Sequence, residues 1–546
     1  MARSKSWIAA LVAALAAVAA LSGCNDSDQD DVDIQASSPQ GLPSRIARLG
    51  NYEITSAAGA VQIVRDGQTV WATTAAPVTL ARTTLDIGSE RAIYEIEENR
   101  AQTCKGGRFT RMKGVADDVR LVGEFDDGAC KGVSFSLELS STDDGQVHFK
   151  LSSNNPKFNE VGLSLAVDEN EQFHGFGEQT EQNLRGQNIP IVIQEQGVGR
   201  GGVVSKAINQ LQLLPLPDDQ KALIRSFVKA QGNAVTTYYA VPLTITGQGA
   251  GMLLKNTGYT RFDLRPDDHI EVHGFAGNLD GRFFGGKSQL EAITQATEYT
   301  GRMSVLPDWT QTGAVIGLQG GTETVEARYR MLKKAGVPIT GLWLQDWAGA
   351  RSTYGGAASM TCWNWERDDD RYPGWDKLRQ ELTADGVRLL GYFNPYLVSN
   401  VDKCNPGARR NLYKEARANG YLVKNSSGKP YQLTITDFDA GIVDLTNPQA
   451  FEWLKNILET QIKKNGFSGW MADFAEGLPF DTQLANGNSG RAGAAVQAMV
   501  HAGACFEPRA TAVERYDAVY RQVYTRLYSE LRPTLRRLRR VFARST

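Results

Sequence analysis

Asp473 stands at the end of a short apolar and aromatic run in this 546-residue chain. The run, residues 467–474, follows a segment with helical spacing, residues 448–464. An apolar run of this length after a helix is typical of a buried parallel strand, whose functional groups lie at its carboxyl end. A short carboxylate held there could present a catalytic group to a substrate. The alternative for Asp473 is a helix cap or an exposed loop acid.

Two earlier segments repeat this pattern of an apolar run that ends in polar side chains. Residues 339–344 lead into Gln345 and Asp346, and residues 387–393 lead into Asn394. Because the carboxyl ends of parallel strands meet at one edge of a sheet, the three endings predict a single pocket.

Segments with helical spacing lie between these strand candidates, at residues 323–335, 375–384 and 448–464. Strands and helices that alternate with short connections favour a parallel sheet covered by helices. A (β/α)8 barrel explains the strand-end residues best. A doubly wound nucleotide-binding fold is the rival, but no G-x-G-x-x-G opens a helix after the first strand.

The chain before the predicted barrel has a different pattern. Residues of about 50 to 282 alternate apolar and polar side chains in short runs, such as 92–96 and 133–137, separated by glycine and aspartate turns. This pattern is typical of an antiparallel β-sandwich. We therefore predict an N-terminal antiparallel β-sandwich at 50–295, followed by an incomplete (β/α)8 TIM barrel at 296–490.

Residues of about 150 to 490 resemble glycoside hydrolase family 31, the retaining α-glycosidases, and within it the sulfoquinovosidases. The motifs that carry the resemblance are Trp343–Trp347 (WLQDW), Asp473–Glu476 (DFAE), Gly175–Gln179 (GFGEQ) and Glu195–Arg200 (EQGVGR). The resemblance implies hydrolysis of α-glucoside-like sugars, including sulfoquinovosides, with Asp473 as nucleophile. Such retaining enzymes need a second carboxyl about 5 Å from the first.

The resemblance also implies residues that bind the sugar. It places sulfonate-binding roles on Gln319, Gln345 and Trp363. Asp346 would accept sugar hydroxyls, and Trp347 would stack on a sugar ring or lie in the barrel core, alternatives that hold for Trp363 too. Glu195, Gln196 and Arg200 belong to a loop that would reach the barrel mouth or form a plain surface turn.

The chain departs from the family pattern at two places. Met360 stands where the sulfonate-binding arginine is expected, and Arg351 or Arg367 could replace it. The general acid, an Asp in a Gly-Asp context, has no counterpart after Asp473, because the helical surroundings of Asp517 argue against that role. We therefore expect impaired activity. The alternative is a non-catalytic carbohydrate-binding remnant or a truncated or fused gene product.

The last segment, residues 491–546, has a separate character. It is rich in arginine, contains no lysine and has helical spacing. It resembles the terminal helices of FGGY-type sugar kinases, but it includes none of the nucleotide or catalytic groups of those enzymes. The resemblance implies no kinase activity.

The beginning of the chain predicts where the protein works. Residues 1–23 resemble a bacterial lipoprotein signal, with Cys24 as the lipidated residue, and 24–49 form an acidic linker. This predicts a lipid-anchored protein of the bacterial cell envelope, facing the periplasm or the exterior. Export permits disulfides, for which Cys104 with Cys130 and Cys362 with Cys404 are reasonable pairs.

Composition limits the partners. The formal net charge is −2, so nothing suggests a nucleic acid as a partner. The cysteine spacing shows no metal pattern and the five histidines are scattered. We therefore expect a carbohydrate substrate and a membrane anchor, with no cofactor and no metal.

Overall fold

A computed structural model describes residues 32–35 and 46–487, apart from 91–92, 116, 127, 180, 195–214, 216–231, 238, 257, 303–304, 354–357, 436–437 and 475–477. Strands β1 to β17 are Val32–Gln35, Ile46–Leu49, Tyr52–Ala57, Ala60–Arg65, Gln68–Glu90, Ile93–Val115, Asp118–Glu124, Ser134–Ser141, Val147–Ser153, Glu160–Ala166, Phe173–Gly177, Asn188–Ile191, Ala240–Thr246, Ala250–Leu254, Thr260–Asp263, His269–Gly274 and Asn278–Gly285.

Strands β18 to β26 are Ala314–Leu318, Ile339–Leu344, Ala350–Thr353, Ala358–Thr361, Arg388–Phe393, Tyr396–Val398, Leu433–Ile435, Phe438–Ile442 and Gly469–Ala472. Helices α1 to α5 are Gln289–Thr300, Gly321–Lys334, Trp375–Ala384, Leu412–Ala418 and Pro448–Asn465. Short 3₁₀ turns occupy Gly128–Cys130, Asp308–Gln311 and Val401–Lys403.

Antiparallel pairing dominates the first part of the chain, from β1 to β17. One ladder runs β6–β5–β10–β16–β15–β12, and a second runs β6–β7–β8–β9–β17–β14–β13–β11. In β7 and β8 buried and exposed side chains alternate, as the sequence pattern predicts. Phe149 and Phe283 stack at 4.2 Å in the shared apolar core. The predicted antiparallel character is confirmed.

A four-stranded parallel sheet follows, in the order β18–β19–β22–β26. Helix α2 lies between β18 and β19, α3 between β19 and β22, and α5 between β22 and β26. This alternation agrees with the predicted strands and helices to within about two residues at most ends. Because residues 488–546 lie outside the described part, the completeness of the barrel stays a prediction.

Local sequence explains why α5 begins and ends where it does. The Asn447 side chain accepts hydrogen bonds from the N–H groups of Gln449 and Ala450, and Pro448 occupies the first turn. These features satisfy amide groups that a helix start leaves without partners. Gly466 ends the helix with φ of 70°, a conformation that glycine adopts at little cost. The chain then turns directly into β26.

Two disulfides lie in the described residues. Cys104 pairs with Cys130 in the antiparallel part, and Cys362 pairs with Cys404 between two loops of the parallel part. Both predicted pairs are confirmed. Within the described ranges, no helix has the length and apolar character that a membrane crossing requires.

Candidate active site

The carboxyl ends of the four parallel strands carry polar side chains at one edge of the sheet. Gln319 follows β18, Gln345 follows β19, Asn394 follows β22 and Asp473 follows β26. This edge is the one where parallel α/β folds place their functional groups. The sequence anticipated three of these strands, β19, β22 and β26, but β18 was not among its strand candidates.

Asp473 is half-buried, and its backbone N–H donates to the carbonyl of Phe393 at 3.1 Å. Its carboxylate oxygen Oδ2 accepts a hydrogen bond from the hydroxyl of Tyr392 at 2.6 Å. The next residue, Phe474, has φ of 59°, a left-handed conformation that is unusual for an aromatic residue. Such strained positions persist where surrounding structure enforces them, and they cluster at active sites.

Gln319 and Gln345 lie side by side. The amide Nε2 of Gln319 donates to Oε1 of Gln345 at 2.6 Å. Gln319 is exposed and Gln345 half-buried, so the pair retains polar surface at the strand ends. Two neighbouring amides provide neutral donors and acceptors for a polar ligand.

Asp346 has a very different environment, because its side chain is fully buried. Its Oδ2 accepts from the Gly320 N–H at 2.9 Å and from Nε and Nη2 of Arg371 at 2.7 and 2.6 Å. Its Oδ1 accepts from the hydroxyl of Tyr372. Burial and the adjacent Asp346 carboxylate raise the pKa of Tyr372, so this hydroxyl stays a donor. Asp346 thus joins the β18–α2 turn to the loop before α3; its role in sugar binding stays a prediction.

The two tryptophans of the prediction are both buried. Trp347 is 0% exposed, donates from Nε1 to the Tyr392 carbonyl at 3.0 Å and packs edge-on against Phe393 and Phe467. This is the environment of a core residue. Trp363 is 1% exposed, but its ring lies 5.0 Å from that of Phe474, beside Asp473. Of the two, Trp363 contacts the residue that follows the candidate nucleophile in the chain.

Arg351 lies directly across a strand pair from Met360, the position where the family resemblance expects an arginine. Strands β20 and β21 are antiparallel, with Arg351 paired to Met360. The Nη1 of Arg351 donates to the Thr361 carbonyl at 2.8 Å, and the Thr361 hydroxyl accepts from Nε1 of Trp363 at 3.0 Å. Thr361 therefore joins this guanidinium to the tryptophan.

Arg367 is held elsewhere. Its Nε donates to Asp369 at 2.5 Å, its Nη1 donates to Asn465 at 3.1 Å, and its guanidinium lies 5.3 Å from the ring of Trp375. These contacts direct Arg367 toward the ends of α3 and α5. Of the two candidate replacements, the structure brings Arg351 close to Trp363.

Several predicted residues lie outside the described part of the chain: Glu195, Gln196, Arg200, Cys24, Glu476 and Asp517. Their roles stay predictions. Among the described residues, no group of three or more histidine, cysteine, aspartate or glutamate side chains could hold a metal ion.

Sequence reasoning missed Tyr392, Arg371 and Tyr372. Tyr392 had a usable signal, because it lies on β22 two residues before Asn394, and side chains two apart in extended chain point to the same side. Arg371 and Tyr372 had none, since they follow Asp346 by 25 and 26 residues in a loop. Only folding brings them to the carboxylate.

The family model "Glycosyl hydrolases family 31 TIM-barrel domain" matches residues 303–546. This part of the chain is therefore similar to the TIM-barrel domains of glycosyl hydrolase family 31. The match includes the tail at 491–546, for which the resemblance to sugar kinases stays a prediction.

Among curated proteins, the chain is similar to sulfoquinovosidases. It is 33% identical over 358 residues to one from Escherichia coli, covering 65% of this chain and 49% of that protein. It is also 33% identical over 351 residues to one from Agrobacterium fabrum, covering 64% and 49%. The chain thus spans about half the length of the curated relatives that it matches.

A solved structure extends this similarity to the fold. It is a family 31 sulfoquinovosidase from E. rectale in complex with the aza-sugar inhibitor IFGSQ. The TM-score is 0.68 at 27% identity, covering 84% of this chain and 63% of the other.

Proposed function

We propose that this protein is a retaining α-glycoside hydrolase in which Asp473 is the nucleophile. The observation that carries the proposal is the position of Asp473 at the carboxyl end of β26, beside the polar ends of the neighbouring parallel strands. A carboxylate held there by Tyr392 can attack an anomeric carbon without giving up much orientational freedom. The match of residues 303–546 to the family 31 TIM-barrel model supports the same reaction class.

Covalent labelling tests this assignment. A mechanism-based cyclitol epoxide or an activated fluoroglycoside should add one sugar-derived group to the protein, and peptide mapping should locate it on Asp473. Recovery of the label on Asp346 or Glu476 would overturn the assignment. Sugar binding without any label would favour the alternative, a non-catalytic carbohydrate-binding protein.

We propose α-glucoside-like sugars as substrates, with sulfoquinovosides among them. The similarity to sulfoquinovosidases supports the sulfonated sugar, and so does the neutral amide pair of Gln319 and Gln345. A sulfonate also needs a strong donor, and a guanidinium supplies two parallel hydrogen bonds. Arg351, opposite Met360 and joined to Trp363 through Thr361, is the proposed cation.

Calorimetry can separate the charge from the rest of the sugar. Sulfoquinovosyl glycerol and the matching glucoside are titrated into the wild type, Arg351→Gln and the control Arg367→Gln. Only Arg351→Gln should lose the preference for the sulfonate, and added salt should weaken that preference in the wild type. Equal loss in both arginine variants would argue against Arg351 as the specific contact.

Impaired general acid catalysis, which the sequence leads us to expect because Asp517 has helical surroundings, is a proposal that the choice of leaving group tests. Loss of general acid catalysis typically costs roughly 10² to 10⁴ in rate. An alkyl glycoside needs that proton, whereas 2,4-dinitrophenolate scarcely does. The purified protein should therefore turn over the activated aryl glycoside much faster than the alkyl glycoside. Similar high rates with both would mean that an acid is present.

Finally, we propose export and lipid anchoring at Cys24. The two disulfides support an oxidising compartment, where such bonds persist. Radiolabelled fatty acid should be incorporated by the full chain in a bacterial host and not by Cys24→Ala. Incorporation by both proteins would rule out Cys24 as the lipidated residue.

A further inference from the structure

The hydroxyl of Tyr392 lies between two polar side chains at the strand ends. Tyr392 is 1% exposed and belongs to β22. Its hydroxyl donates to Oδ2 of Asp473 at 2.6 Å and accepts from Nδ2 of Asn394 at 3.1 Å. Asn394 is also 1% exposed, so two of these three groups are withdrawn from solvent.

The orientation of Asn394 fixes the direction of this chain of hydrogen bonds. Its Oδ1 accepts from the backbone N–H of Tyr396 at 2.9 Å, and a backbone N–H can only donate. The other end of the amide must therefore be Nδ2, which is a donor too. The Tyr392 oxygen accepts from it, so the single hydroxyl proton points to Asp473.

We propose that Tyr392 is a positioning residue for Asp473 and that Asn394 orients its hydroxyl, an inference that rests on the proposed role of Asp473 as nucleophile. In the proposed step, a bond forms from the carboxylate of Asp473 to the anomeric carbon while the bond to the leaving oxygen breaks, and the electron pair stays with that oxygen. Tyr392 keeps its proton throughout.

Two physical effects follow from this hydrogen bond. It restrains rotation of the carboxylate about its Cβ–Cγ bond, so that fewer orientations are lost when the sugar binds. It also favours the ionised form of Asp473, because a hydrogen bond donated to a carboxylate is stronger than one donated to the neutral acid. The nucleophile is thereby kept in its reactive form at lower pH.

Tyr392→Phe removes the hydroxyl and keeps the ring, which packs near Trp343 and Trp365 at centroid distances of 6.4 and 6.1 Å. The rate of Asp473 labelling by an activated fluoroglycoside should fall roughly 10- to 100-fold, as expected for a hydrogen bond to a charged group. The acid limb of the rate–pH profile should move to higher pH. A role limited to packing would leave that limb unchanged.

Tyr372→Phe is the matched control. It removes a hydroxyl that donates to Asp346, the carboxylate at the end of the neighbouring strand β19. The midpoint of the acid limb should stay at its wild-type pH in this variant. The same displacement in both tyrosine variants would overturn the proposal.

A second measurement is independent of the reaction. In the full chain labelled with ¹³C at the aspartate carboxyl carbon, the resonance lost in Asp473→Asn identifies Asp473. Its titration midpoint should rise in Tyr392→Phe and stay constant in Tyr372→Phe. If no glycoside labels the wild type but this midpoint moves, the proposed function fails and only the effect of the Tyr392 hydrogen bond on the Asp473 carboxylate stands. If labelling occurs but neither the midpoint nor the acid limb moves, the positioning role fails.

Discussion

Asp346 and Asp473 occupy equivalent positions, each close after a strand of the same parallel sheet, yet their environments differ. Asp346 is fully buried and accepts hydrogen bonds from Gly320, Arg371 and Tyr372. Asp473 is half-buried, with Tyr392 on one carboxylate oxygen. The segments that fold back onto a strand-end carboxylate therefore set how deeply it is buried. For Asp346, the loop before α3 supplies a cation and a hydroxyl.

The comparison predicts opposite consequences for the same substitution at the two sites. Asp473→Asn should reduce glycosylation by roughly 10⁴- to 10⁶-fold, the range seen when a catalytic group that acts covalently or beside the nucleophile is removed. Its melting temperature should stay close to that of the wild type. Labelling kinetics and thermal melts of the same samples check both statements. Full labelling of Asp473→Asn would end the assignment of the nucleophile.

The second prediction concerns stability. Asp346→Asn should destabilise the protein by about 3 kcal/mol, because it breaks a buried ion pair and leaves Arg371 without its carboxylate. Arg371 is 30% exposed, which places the expected loss at the lower end of the range for buried pairs. Denaturant melts of Asp346→Asn and Asp473→Asn measure the difference. Equal stability of the two variants would remove the distinction between these carboxylates.

The disulfide between Cys362 and Cys404 tests whether the loops after β19 and β22 support each other. Cys362→Ala with Cys404→Ala should lower stability by about 2–4 kcal/mol and weaken sugar binding, because Cys362 precedes Trp363. Removal of the Cys104–Cys130 bond should cost stability alone. Calorimetric titration and melts separate the two effects. Unchanged sugar affinity in the first variant would show that the bond does not position Trp363.

A third carboxylate, Glu160 in the antiparallel part, extends the comparison to pH. Burial acts to raise the pKa of Glu160, but hydrogen bonds from His273, Arg100 and Thr83 outweigh it and lower the pKa to about 2. This contribution to stability is therefore complete above the unfolded value near pH 4.5 and is lost as pH falls toward 2.

His273 contributes with the opposite sign. Burial acts to lower its pKa, but the hydrogen bonds to Glu160 and Glu271 raise it above 6.5. Its contribution is complete below pH 6.5 and is lost as pH rises through the raised pKa. Melting temperatures of the wild type should be least sensitive to pH between these limits, and Glu160→Gln should flatten both slopes. Parallel curves for the two proteins would contradict the pairing.

Much of the parallel part could be predicted from local sequence. The apolar run at 339–344 coincides with β19, and the helical spacing at 375–384 coincides with α3. Asn447 and Gly466 mark the ends of α5. The Asn447 side chain accepts hydrogen bonds from N–H groups of the first turn, and Gly466 adopts the left-handed conformation that ends the helix. The disulfide pairs followed from the grouping of cysteines in the two parts of the chain.

The sequence by itself therefore determined the elements and the residues that end them, because hydrophobic period, capping and turn chemistry act over a few residues. Only the tertiary structure decided which carboxylate accepts hydrogen bonds from Arg371, which guanidinium lies across from Met360 and which tyrosine hydroxyl donates to Asp473. Those contacts join residues 9 to 81 positions apart. Burial and hydrogen-bond direction, which set their chemistry, exist only once strands and loops are packed together.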